Sequence, residues 1–218
     1  MAKVVIFGLS QNAVLAHFYL TNDSEHEVVA FSVNQEFATV SKLSGLPVIP
    51  FETIEEIFPP EDFKFFAPLS PRNMNKDREK VFEAIQVKGY SCVSYISSYS
   101  TCLTKHVGEN CFILEDNTIQ PFTKIGQNVM IWSGNHIGHH SSIEDHAALT
   151  SHSVISGNCT IRPHCFIGIN SSIKNGVTLA EGTYITMSTS VTADTDPWSV
   201  YRGNPAQKLK IPSTRMRW

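Results

Sequence analysis

The sequence predicts two architectures in one chain of 218 residues. A small α/β unit spans residues 1–98, an all-β stack of short parallel strands spans 99–194, and a basic tail spans 195–218. Three observations predict this division. Between positions 107 and 191 an aliphatic residue falls on every sixth position, fifteen times in succession. Two residues before most of them stands a small side chain, for example Cys111, Thr123, Ser141, Ala147, Ser153 or Cys165. Residues 3–96 lack that period and alternate apolar runs with helical stretches. A period of six is neither the 3.6 of a helix nor the 2 of an ordinary strand. It marks a repeat in which each short strand turns a corner and stacks on the strand one coil below.

The elements of the first unit follow in order. Residues 3–7 read as a buried strand, followed by Gly8-Leu9-Ser10-Gln11-Asn12 and an apolar helix to about Leu20. Residues 28–32 and 62–67 read as two further strands, 75–88 as a helix and 91–96 as a fourth strand. Strands alternating with helices imply a small parallel sheet of Rossmann-like kind. The loop after the first strand of such a sheet meets a helix N-terminus, which favours anions. A dinucleotide fingerprint requires G-x-G-x-x-G, and only Gly8 is present; Asn34 stands where an acid would hold a ribose. That argues against NAD and leaves a nucleotide monophosphate or a nucleotide-linked sugar as the ligand.

Composition removes other classes. A net charge of −3 with 17% charged residues gives no reason for a nucleic-acid partner. The five cysteines are odd in number and lack paired spacing, and three of them fill the small-residue column. They are expected to be reduced thiols in a cytoplasmic protein. No run approaches the 18 apolar residues of a membrane span, so a soluble protein is expected. The tail carries Arg202, Lys208, Lys210, Arg215 and Arg217 with no acid after Asp196, which suits a polyphosphate.

Over roughly residues 100–206 the hexads resemble the left-handed β-helix of hexapeptide-repeat acyltransferases. In that fold three hexads form one triangular coil, so fifteen hexads give five coils. Each aliphatic residue points inward, and the third residue after it forms a corner. Those residues run from Asn110, Asp116 and Phe122 to Ser188 and Asp194, and the column is rich in Asn, Asp, Gly and His. These residue types best tolerate positive φ. Positions eighteen apart then stack at about 4.8 Å, the usual inter-strand spacing. Pro121, His139, Gly157 and Asn175 form one such row.

The order of the two units resembles the bacterial nucleotide-amino-sugar N-acetyltransferases, which are grouped with the sialic acid O-acetyltransferase. That resemblance spans nearly the whole chain and implies a nucleotide held by the N-terminal unit, at Ser10, Gln11 and Asn12, with Asn34 beside them. Only Ser10 matches the better-known Gly-Ser-Gly-His form of the loop.

Seven of the nine histidines lie between 106 and 164. His140, His146, His152 and His164 occupy corners, where a conformational reason suffices, and His106 and His136 should face outward. The zinc-binding relative of this fold uses three histidines, two of them five residues apart. No pair here has that spacing, so no metal is expected. His139 differs, because it lies one residue before a corner and is the only histidine in its column. With Asn135-His136-Ile137-Gly138-His139-His140 and Ser156-Gly157-Asn158 it resembles the catalytic stretch of these enzymes. The resemblance implies His139 as general base and Gly157 beside the thioester of acetyl-CoA. An imidazole is suited to take the proton of an attacking amine and return it to the thiolate. The backbone N–H of Gly157 is the candidate oxyanion donor. His140 stands where the family often has an acid. It either orients His139 as a neutral ring or leaves that role to an acid such as Glu115 or Asp116, of a lower coil or of a neighbouring chain.

The resemblance also places coenzyme A in a groove between adjacent prisms of a homotrimer. Ile169 agrees with the family's residue type there, and Met187 replaces a glycine. The closing Tyr201-Arg202-Gly203-Asn204-Pro205-Ala206 matches the family's terminal G-N-P-A and brings Arg202 and Lys208 toward the phosphates. Outward Phe112, Met130, Trp132 and Phe166 are expected to form the face between chains. The function implied is acetyl-CoA-dependent N-acetylation of a nucleotide-linked amino sugar, for surface-glycan or lipopolysaccharide synthesis. The alternatives are sugar O-acetylation and a non-catalytic trimeric scaffold.

Overall fold

The computed structural model describes residues 1–216, so Arg217 of the basic tail lies outside the described residues. Five strands and two helices build the first unit: β1 (Lys3–Phe7), α1 (Gln11–Asn22), β2 (Glu27–Val33), β3 (Lys42–Leu43), β4 (Leu46–Pro50), β5 (Phe63–Phe66) and α2 (Lys76–Val87). The sheet runs β3-β4-β2-β1-β5, parallel throughout except for the β3–β4 hairpin. Residues alternate along β1, so Val4 and Ile6 pack with α1 on one side. Val5 and Phe7 pack with Phe82 and Ile85 of α2 on the other. The hairpin escaped the sequence reading. Its turn is the pair Ser44-Gly45, both at positive φ, and Pro47 and Pro50 weaken the strand signal of β4.

The expected fourth strand at 91–96 divides instead. Cys92 makes a single bridge to Phe65 at the sheet edge, and Tyr95–Ile96 pairs with Phe112–Ile113 as the first rung of the stack. The Ser94 hydroxyl, which donates to the Gly108 carbonyl, ties this crossing to the stack.

From there the chain winds a left-handed β-helix with three faces. Face one carries the rungs Tyr95–Ile96, Phe112–Ile113, Met130–Ile131, Ala148–Leu149, Phe166–Ile167 and Tyr184–Ile185. Face two runs from Thr101–Cys102 to Ser190–Val191, and face three from Lys124–Ile125 to Thr178–Leu179. Rungs pair in parallel and in register, most of them eighteen residues apart, as Met130 with Ala148 and His136 with Val154. The aliphatic column from Ile113 to Val191 is buried together with the small-residue column. Fourteen of the fifteen expected corners have positive φ. Asp194 does not: at the end of the last coil its carboxylate accepts the Thr178 N–H at 2.8 Å.

One expectation is overturned. Phe112, Met130 and Phe166 do not form a face between chains, because the N-terminal unit of the same chain covers them. All three are buried against Val4, Ile6, Phe31 and Phe66, with Trp132 packed at the margin of that cluster. The sheet's α1 side needs an apolar partner, and face one supplies it.

Polar groups lock both flanks of this junction. On the α1 side the Tyr19 hydroxyl donates to Glu115 (2.7 Å), and the Tyr95 hydroxyl and Ser98 N–H donate to Asp23 (2.6 and 2.9 Å). Burial and the Glu115 carboxylate push the Tyr19 hydroxyl up to about 12. On the α2 side Arg78 is buried and donates to Asn128, and burial lowers its pKa to about 10. Glu79 approaches the Nε2 atoms of His146 and His164, each at 3.5 Å.

His146 and His164 are therefore more than corner residues. His146 Nδ1 lies 2.9 Å from the Asn128 amide, and its ring stacks on His164 at 5.1 Å. Burial, reinforced by His164, lowers the His146 pKa from 6.5 to about 4. A histidine with a depressed folded pKa stabilises the fold above its unfolded pKa, and that stability fades as pH falls toward the folded value. The unfolding midpoint should therefore drop between pH 6.5 and about 4. In His146→Asn, which suits the corner, denaturant melts should show a shallower decline. An identical pH dependence in the two proteins would refute this role.

Candidate active site

The corner between faces two and three carries the predicted row. Its rungs fix it, since the His139 carbonyl accepts the Asn158 N–H (2.9 Å) and the Gly157 carbonyl accepts the Gly176 N–H (3.0 Å). With its amide turned to satisfy both neighbours, Asn175 also donates to the Gly157 carbonyl at 2.9 Å. His139 and His140 are both exposed, and Gly157 is buried. The His139 ring lies directly over Gly157, where a Cβ would come within 2.8 Å of Cε1 and 2.9 Å of Nε2. Glycine leaves room here for the ring to approach the backbone, and its N–H makes no hydrogen bond within the described residues. An exposed imidazole thus lies against a residue whose backbone donor is unused.

His139 is held at two points. Its N–H donates to the Gln120 side chain (2.9 Å), and its Nδ1 lies 3.0 Å from Nδ1 of His140. His140 in turn lies against Phe122, with ring centroids 4.7 Å apart. Glu115 and Asp116 sit at a different corner, between faces one and two, and Glu115 is already bonded to Ser133 and Tyr19. Neither acid orients His139 from within the chain. Gln120 has no signal in the sequence reading and Phe122 figures there only as a corner; counting rungs places both one coil below the histidine pair.

Ile169 and Met187, both exposed, stack at that other corner between faces one and two. There the tail joins them. Ser199–Arg202 extends face one beyond Tyr184–Ile185 and Gln207–Pro212 returns antiparallel, leaving Arg202 exposed. Lys208 is paired with Asp196 at 2.9 Å, which raises the pKa of the amine and lowers that of the acid. The single chain therefore does not bring Gly157 together with Ile169 and Met187.

The N-terminal unit holds its own pocket, about 400 Å³, at the ends of β1 and β2. Gly8, Ser10, Asn34 and Phe37 line one side, and Leu69, Arg72 and Asp77 the other. Gly8 has φ +108, which places its N–H on the Ser32 carbonyl and avoids a clash with Leu69. Ser10 caps α1 without using its hydroxyl. Gln11 and Asn12, in the first turn of α1, are outside the lining. Arg72 and the exposed Phe37 were not singled out, because nothing in a loop sequence marks which side chains return to the pocket.

Among the described residues no group of three His, Cys, Asp or Glu could hold a metal ion. No described helix is long and apolar enough to cross a membrane.

Comparison with known proteins agrees with this architecture. Residues 122–157 match the family described as Bacterial transferase hexapeptide (six repeats). No curated protein matches the sequence. Among solved structures, the chain is similar to the acetyltransferase domain of PglB from Neisseria gonorrhoeae FA1090, at 17% identity and TM-score 0.81, covering 96% of this chain and 100% of that one. It is similar to PerB from Caulobacter crescentus, solved with CoA and GDP-perosamine, at 19% identity and TM-score 0.80, covering 96% and 98%. WeeI from Acinetobacter baumannii AYE gives 19% and 0.80, covering 96% and 100%. Residues 122–157 carry that hexapeptide repeat, and the chain has the left-handed β-helix fold of these structures, with its N-terminal α/β unit packed on face one.

Proposed function

We propose that this protein transfers an acetyl group from acetyl-CoA to the amine of a nucleotide-linked sugar. The observation that carries the reading is the placement of His139 over Gly157, a solvent-facing imidazole against an unused backbone donor. As the amine attacks the thioester carbonyl, a C–N bond forms and its proton passes to Nε2 of His139. The N–H of Gly157 stabilises the oxyanion of the tetrahedral intermediate. The C–S bond then breaks, and His139 returns the proton to the thiolate. His140 supports His139 from the adjoining corner position.

The N-terminal pocket supports a nucleotide. It combines Ser10, at the N-terminus of α1, with Arg72 for phosphates, and Asn34 and Phe37 for the nucleoside, while Gln11 and Asn12 behind the lining contribute the first turn of that helix. PerB, of similar fold, was solved with a GDP-linked sugar and CoA. Ile169, Met187, Arg202 and Lys208 are assigned to coenzyme A. The five cysteines are unpaired, which fits a reducing cytoplasm, where both substrates are expected.

Geometry also supports a homotrimer. The N-terminal unit rests on face one, and the corner carrying His139 is the corner opposite that face. A sugar held in the pocket of one chain is on the wrong side of its own prism, so it meets the His139 of a neighbour. Three-sided prisms close naturally into a threefold ring. Light scattering should give three times the chain mass, and a monomer at working concentration would remove the shared site. The reaction itself is tested by following thiol release from acetyl-CoA with UDP-, dTDP- and GDP-linked amino sugars. Turnover on the corresponding hydroxy sugars alone would replace N-acetylation by O-acetylation.

A further inference from the structure

His139 and His140 face each other through the same ring atom, Nδ1 to Nδ1, at 3.0 Å. A neutral imidazole nitrogen carries either a hydrogen or a lone pair. The contact therefore holds one proton, with one ring donating and the other accepting. We propose that His140 is the positioning residue for His139: its Nδ1 accepts the Nδ1–H of His139, which leaves the His139 lone pair on Nε2, over Gly157. The part played by His139 in turnover rests on the acetyl transfer proposed above; the pairing of the rings does not.

Three observations converge on this. His140 is fixed at a corner with φ 58°, its N–H points at the Pro121 carbonyl, and one face of its ring is covered by Phe122 at 32°. The two imidazoles stand nearly perpendicular, at 85°, so the lone pair of one addresses the edge of the other. No carboxylate competes, since among the described residues neither ring bonds an Asp or Glu, and Glu115 is spent on Ser133 and Tyr19.

The consequence is a tautomer gate. With His140 accepting, His139 is a base at Nε2. With His140 donating, the His139 hydrogen sits on Nε2 and the base is blocked. When the amine's proton reaches Nε2 as the C–N bond forms, the Nδ1–H bond to His140 becomes charge-assisted and stronger. The proton leaves again with the thiolate, so the dyad ends as it began and no further reactant is needed.

Two variants compatible with the corner test the pairing. His140→Gly removes the ring without strain at positive φ, and His140→Asp offers an acceptor only, on a residue that tolerates this region. H140G should lower kcat about tenfold, less than the ~10²–10⁴ of the base itself, with KM for both substrates unchanged. H140D should recover most of that loss. A purely structural role predicts equal kcat for the two variants. Independently of turnover, ¹⁵N imidazole spectra of the unliganded protein should show His139 as the Nδ1–H tautomer in wild type and H140D. In H140G that preference should be lost. An Nε2–H tautomer of His139 in wild type, or wild-type kcat in H140G, would overturn the proposal. If no acetyl transfer is found with any sugar, the spectra alone still decide the pairing.

Discussion

Replacing His139 with alanine or asparagine should lower kcat by about 10²–10⁴, the usual contribution of a positioned acid–base group. Folding and acetyl-CoA binding are expected to survive the change, because the ring is exposed and lies outside the packed column. Only the backbone of His139 serves the coil, through its bonds with Asn158 and Gln120, and any L-residue supplies those. The measurement is steady-state thiol release at saturating substrates, accompanied by light scattering and acetyl-CoA titration. Retention of more than about a tenth of kcat would falsify the assignment. Gly157 and substrate positioning would then carry the catalysis.

Gly157→Ala is the second variant with a large expected effect, and it acts on the same ring from below. The new methyl would lie 2.8–2.9 Å from two ring atoms of His139, far inside contact distance. The nearest atoms belong to side chains, His139 and then Asn175 at 3.2 Å, so the stack can keep its register while the imidazole swings away. Displacing a catalytic group by about 1 Å can cost 10²-fold in rate. The expected result is a kcat loss of that order, an unaltered melting temperature within the scatter of surface variants, and weaker acetyl-CoA binding. A melting temperature lowered as far as kcat would instead mark Gly157 as a packing residue. A variant with full kcat would move the reacting centre away from this corner.

Much of this molecule can be read from its sequence because the repeat ties one residue type to one place. An aliphatic side chain at every sixth position defines the inside, and Asn, Asp, Gly and His three residues later define the corners. Residue number alone then places His139 over Gly157 and separates both from Glu115. Asp194 departs because no further coil follows to demand its turn, and its carboxylate replaces the missing rung.

The parts that were misread are those where two surfaces meet. Phe112, Met130 and Phe166 are apolar and outward, which identifies a covered face without naming its cover. A second chain and the protein's own N-terminal sheet satisfy that pattern equally well, and the structure shows the sheet. The polar locks at Arg78 and His146 belong to the same junction and have no periodic signature. Arg72 and Phe37 reach the N-terminal pocket from irregular segments, and the Nδ1 contact of the histidine pair depends on rotamers that no pattern encodes.

The eighteen-residue coil also governs how such a chain can change length. One residue inserted within a rung would rotate the succeeding side chains out of their columns, exposing isoleucines and burying polar groups. Viable length changes come as whole turns, or as loops bulging from a corner where the chain leaves the prism. Whole turns are not equivalent either. Each coil between Phe112 and Phe166 contributes one rung to the pedestal under the N-terminal sheet, so losing one would shrink the pedestal itself. Above Tyr184 the tail hairpin closes the stack, and its Trp198 reaches back to the junction, with the Lys76 ammonium 4.6 Å from the ring centre, so a coil added there would carry that contact away. The β-helix thus acts as a ruler graduated in eighteens, and the height of any corner residue along it is set by counting turns.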